Sequence, residues 1–173
     1  MNIKKFLILI LILFVSQNSF AEVNPHYIDF KLILNKSDAG NKAQKFLQNR
    51  LESGFKNIRE KEKKIQDEEK KIIQQKKVIS PEEYKKKVSE LRTKVASLQK
   101  ERNNLLEKVS KQRTKAKKTL LENLNPIVKE YMEKNQIRMV IDKKNLLLAD
   151  EKLDITQPIM KLLNQKLKSI NLK

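Results

Sequence analysis

Large aliphatic residues recur every seven positions at Leu51, Ile58, Ile65, Ile72 and Ile79, and the series stops at Ser80-Pro81-Glu82-Glu83. A seven-residue apolar period is the seam of a helix that leans on one partner helix. The companion seam positions hold Phe55, Glu62, Glu69 and Lys76, so the stripe is narrow and the helix cannot be enclosed in a core. Ser-Pro-Glu-Glu reads as a fresh helix start. Ser80 caps the amide three residues on, Pro81 suits the first helical position, and Glu83 reaches back to the Ser80 N–H. Because the residue before a proline avoids helical dihedrals, the first helix is expected to end near Ile79.

Beyond this break the apolar spacing resumes at Tyr84, Val88, Leu91, Val95, Leu98, Leu105 and Val109, with Arg102 in one slot. Two long helices joined by about two residues must run antiparallel. The seam then pairs Ile72 with Leu91, Ile65 with Leu98 and Ile58 with Leu105, and Ser80, Pro81 and Glu83 form the tip. At 1.5 Å per residue the first arm reaches ~60 Å. Gln112 and Ala116 thin the stripe, and Leu120, Leu121, Leu124, Ile127, Val128 and Tyr131 widen it again, which predicts a return to a packed body.

The flanks are different material. "VNPHYIDF" (Val23–Phe30) reads as a strand, and "KLILNKSDAG" as a helical turn followed by a new helix capped by Ser37. In "QIRMVID" (Gln136–Asp142), Ile137, Met139 and Ile141 alternate with polar or smaller residues. "KKN" reads as a turn and "LLLAD" (Leu146–Asp150) as the second strand of a hairpin. Thr156 is expected to cap a terminal helix with Ile159, Leu163, Leu167 and Ile170 on one face. The chain is 35% charged and 5% aromatic, which leaves little material for a globular core. The expected class is therefore α+β, mostly α, with a small β body and a long antiparallel helical hairpin. So small a sheet seldom stands alone, which points to oligomerisation around a shared body.

At the N-terminus, Lys4 and Lys5 precede ten apolar residues, Phe6–Val15, and Ser19-Phe20-Ala21 follows. This is the pattern of a cleaved export signal, residues 1–21, with cleavage after Ala21. Residues 22–173 then make a single domain, with the body at 22–37 and 136–173 and the hairpin at 38–135. Loss of the signal lowers the net charge from +18 to +16. An exported chain without a nucleic-acid module directs that charge to acidic polypeptides, anionic lipid or lipopolysaccharide rather than nucleic acid. Catalytic chemistry is not expected. The chain has no Cys, one His and two Gly, which excludes thiolate chemistry and a glycine-rich phosphate loop. Asp142, Asp150 and Asp154 read as turn residues, His26 as a surface residue, and no cofactor or metal is implied.

The order of strand, turn, "SDAGNKAQKFL" (Ser37–Leu47), basic hairpin and final "VID…LLLAD…LDIT" run resembles the Skp (OmpH) family of periplasmic chaperones. The resemblance implies a jellyfish-like homotrimer whose helical arms surround a cavity. Such proteins hold unfolded outer-membrane proteins without ATP in the periplasm. By position it places Ile28, Phe30, Met139, Ile141 and Leu147 in the trimer body. The alternatives are a structural coiled coil of the envelope that binds lipopolysaccharide, and a periplasmic adaptor serving a secretion or efflux partner. An adaptor needs a lipoyl-like β domain beside its hairpin, which about thirty flanking residues cannot build.

Overall fold

The computed structural model describes residues 25–172. The expected signal segment and its cleavage site lie outside the described residues. Strand β1 (His26–Ile28) leads into helix α1 (Phe30–Lys36), and the arms follow as α2 (Asp38–Gln75) and α3 (Pro81–Lys134). Strand β2 (Val140–Asp142), two 3-10 turns and helix α4 (Thr156–Lys166) complete the chain.

The β1–α1–α2 entry is set by local polar groups. The Asp29 carboxylate accepts the Leu32 N–H at 2.7 Å and starts α1, so Phe30 is the first residue of a helix rather than the last of a strand. Ser37 ends α1 by donating its N–H to Ile33 O and starts α2 by accepting the Gly40 N–H at 3.2 Å. One residue thus serves two helices and is fully buried. Gly40 is required by this sharp joint, since a Cβ there would lie 2.1 Å from the Leu34 carbonyl oxygen.

The sheet differs from the expected hairpin. β1 pairs with β2 in parallel, His26 opposite Val140 and Ile28 opposite Asp142, and a single parallel bridge joins Tyr27 to Asp154 on the other side. A parallel pair needs a long crossover, and here the whole helical hairpin supplies it. "LLLAD" is not a strand. β2 runs directly into a 3-10 turn at Lys143–Asn145, and the residues after it do not fold back to pair with β2, whose outer edge carries no strand among the described residues. His26 lies within β1 and is half-buried.

The body core gathers Ile28 and Ile33, Leu120, Leu124 and Ile127 of α3, Ile137 and Ile155, and Ile159 and Leu163 of α4. The widened stripe of α3 is therefore a wall of the body. Pro126 sits inside α3, where it cannot donate to the Glu122 carbonyl, at the level where the arm enters this core. α3 closes with Ile137 N–H on Met132 O at 2.9 Å and Gln136 N–H on Glu133 O at 3.4 Å. Gln136 adopts φ 55°, the left-handed residue of such a terminus, and so turns the chain toward β2. Thr156 does not cap α4. Its hydroxyl oxygen accepts the Asp29 N–H at 2.7 Å, tying the two ends of the chain together, while its own N–H goes to Asp154.

Candidate functional site

The hairpin is the dominant surface, and its tip is built as a turn of several residues. α2 ends at Gln75, four residues before the expected end at Ile79, and Val78 and Ile79 both donate to Gln75 O. Val78 stands in water and Ile79 is half-buried, while Lys76 lies over the Tyr84 ring at 5.7 Å and Lys87 donates to Gln75 Oε1 at 2.9 Å. Ser80 Oγ accepts the Glu83 N–H at 3.2 Å and Pro81 opens α3. The Glu83 carboxylate does not return to Ser80; it pairs with Lys87 at 3.2 Å.

Below the tip the helices run antiparallel. Lys61 meets Glu101 at 2.7 Å, Lys94 meets Glu68 at 2.6 Å, and Arg102 pairs with Glu62. These ion pairs flank the seam in the register that sets Ile65 beside Leu98. Ile58, Ile72 and Leu98 are buried, whereas Ile65, Leu91 and Leu105 are half-buried. A groove of about 500 Å³ opens along Ile65, Ile72, Ile73, Tyr84, Val88 and Leu91. Ile73 and Val78 are well exposed beside it, with Lys76 and Lys77 at the tip. The arm surface is thus a thin apolar strip between rows of charged side chains.

Gly54 lets the arms approach closely at their upper end. A Cβ there would lie 2.5 Å from Leu105 Cδ2. Gly54→Ala gains about 1 kcal/mol of helix propensity but must push Leu105 aside. We expect little net change in Tm for Gly54→Ala alone, and a rise of several degrees when the same change is made on a Leu105→Ala background. Thermal melts of the four proteins decide it: equal effects in both backgrounds would show that Leu105 does not pack on Gly54.

The residues assigned to the body fall into two groups. Ile28 is buried in this chain's own core and Phe30 packs against it. Val140 also faces that core, whereas Met139 is 53% exposed and Ile141 lies half-buried on the opposite side of β2. Leu147 is completely exposed and Leu148 nearly so; Leu148 was not singled out from the sequence although it sits in the same apolar run. A groove of about 530 Å³ runs past Phe30, Leu121, Val128, Met132, Met139 and Val140.

The aspartates at the ends of β2 and of the two 3-10 turns hold the local backbone. Asp142, Asp150 and Asp154 each accept the N–H two residues on, which are turn contacts. No group of three or more metal-ligating side chains occurs among the described residues. Glu130 receives Lys134 and, at 3.6 Å, Lys166 of α4. The hydrogen bond and charge of Lys134 hold the Glu130 carboxyl below its ordinary range, and Lys134 is raised in return. A depressed carboxyl contributes at neutral pH and loses its contribution as pH falls through its lowered value. Among the described residues no helix is long and apolar enough to cross a membrane.

The same architecture occurs in the crystal structure of a candidate OmpH-like outer membrane chaperone from Caulobacter crescentus CB15. It superposes with a TM-score of 0.77 at 16% identity, covering 86% of this chain and 89% of that one. None of the curated proteins matches the sequence. The profile of the OmpH-like outer membrane protein family, however, matches residues 26–163, from the first strand to the middle of α4. That span takes in both strands and the whole hairpin between them, so the chain belongs to the OmpH-like family.

Proposed function

We propose that this protein is an ATP-independent periplasmic holdase that keeps unfolded outer-membrane β-barrel proteins from aggregating. Three chains join through their bodies, and their arms enclose the client. The observation that carries this reading is the surface of the hairpin. It presents a narrow, partly open apolar strip bordered by lysines over most of its length. Unfolded barrel strands are apolar on alternate residues and commonly carry acidic groups. A basic surface draws them in over a long range, and thin apolar contacts hold them weakly enough for release. Family membership and the description of the Caulobacter protein as a chaperone support the same role. The exposed Met139, Leu147 and Leu148 support assembly through the body, since a monomer has nothing to cover them.

The test is light scattering from a urea-unfolded outer-membrane barrel diluted into buffer with the mature protein and no nucleotide. Aggregation is expected to be suppressed near 0.1 M salt and to return near 1 M, where charges are screened within ~3 Å rather than ~10 Å. A requirement for ATP, or equal protection of a basic and an acidic client at low salt, would overturn the mechanism.

A further inference from the structure

The chain does not stop where α4 ends. Residues 167–172 continue without helix or strand; Leu167 and Ile170 still touch the body core, and the end of the segment runs down onto the upper arms. Ile170 and Leu172 turn inward and Asn171 faces solvent. Leu172, only 4% exposed, enters a slot formed by Ala43, Leu47, Val109 and Ala116, and Ile170 packs at its edge. Lys168 anchors the start of the segment on Asp38 at 3.1 Å. This segment lies beyond the family match, which ends at Leu163.

The polar group in the slot is Gln112, itself 8% exposed. Its Nε2 donates to the Leu172 carbonyl, while its Oε1 is buried with no partner. A side-chain amide carries a donor and an acceptor together and can match both the C=O and the N–H of an extended chain. The tail satisfies only the donor. A buried acceptor without a partner raises the free energy of the docked state, so the tail is held less firmly than its apolar contacts alone would hold it.

We propose that the slot around Gln112 is a client subsite, and that the tail 167–172 is an internal occupant that an extended amphipathic client segment displaces. The inference rests on the holdase reading above. The tail shows what the slot accepts: an extended backbone with apolar side chains on alternate residues, which is the pattern of a β-barrel strand. A client strand in a shifted register offers Gln112 both a carbonyl and an N–H, which the tail does not. In the docked state the tail keeps the slot covered when no client is present, so the apolar surface is not left open to a second chaperone molecule.

The experiment compares the full mature chain, a chain ending at Lys168, and Leu172→Ser, which leaves the body core untouched and guards against a folding defect in the shortened chain. The probe is a fluorescent peptide of about ten residues alternating apolar and polar positions with an acidic flank. Binding is read by anisotropy, and amide hydrogen exchange reports where the peptide sits. Both altered chains are expected to bind about tenfold more tightly than the full chain. The peptide is expected to slow exchange at residues 43–51 and 105–116, and less so in the full chain. Equal affinity in all three, weaker binding after shortening, or protection confined to other parts of the arms overturns the inference while leaving the holdase reading intact. Failure of every form to bind either the peptide or an unfolded barrel overturns both.

Discussion

Ile159→Asp is expected to abolish the folded body and, with it, the alignment of the arms. Ile159 is completely buried, one turn from the equally buried Leu163, and faces Ile33, Leu124 and Ile127 across the core. A carboxylate placed there without a partner costs several kcal/mol or is forced to stay protonated. That core is formed by short segments of five elements. A domain of this size has about 5–15 kcal/mol of stability in all, so the substitution consumes much or all of it. Ile159→Ala is the graded control, with an expected loss of about 2–5 kcal/mol and a protein that still folds. Denaturant melts followed by far-UV circular dichroism measure both. Because the arm helices hold each other by their own seam, a partial helical signal without a cooperative transition is the expected state of Ile159→Asp. A cooperative melt close to wild type would show that α4 does not close the core.

The arms were legible in the sequence because their determinants are local. A seven-residue period fixes which face of α2 meets α3, and Ser80-Pro81 fixes where α3 begins, so the antiparallel arrangement is written in residues close to the tip. The first arm ends at Gln75, four residues before the expected Ile79, because the chain already turns there, with Val78 and Ile79 both donating to Gln75 O. The Ser80 cap and the Pro81 start lie where the sequence puts them. The body was harder to read because its pairings are remote. Alternation in "QIRMVID" marks an extended segment but does not say that its partner is His26–Ile28, on the far side of the whole hairpin. Thr156 has the chemistry of a cap, yet its hydroxyl serves Asp29, 127 residues away. Leu167 and Ile170 continue the apolar spacing of α4, but the helix stops at Lys166 and the same residues pack from an extended chain. Pro126 was visible in the sequence and marks the level at which α3 changes from arm to body wall.

The apolar run "LLLAD" is the element whose role depends most on other chains, and it supplies the second large effect. Leu147→Asp with Leu148→Asp is expected to give a folded monomer. Both side chains stand in water in the isolated chain, so charging them removes nothing from its core, and circular dichroism and thermal melting of the monomer should be close to unchanged. In the proposed trimer the same two leucines are buried against neighbouring bodies, at about 1.5–3 kcal/mol for each side chain covered. Six such side chains per trimer would be lost, and six carboxylates would be brought together around one axis, where like charges repel. The proposed contact surface on the neighbour is the groove past Phe30, Met132 and Met139, which is apolar and open. Ile65→Asp is the companion variant on the arm. Its side chain is half-buried between two ion pairs, and it can turn outward if the arm bends, so the hairpin should loosen and the trimer should persist. Sedimentation equilibrium on both variants separates body from arm. A trimer that survives Leu147→Asp with Leu148→Asp but falls to monomers with Ile65→Asp would mean that the arms, not the bodies, hold the assembly together.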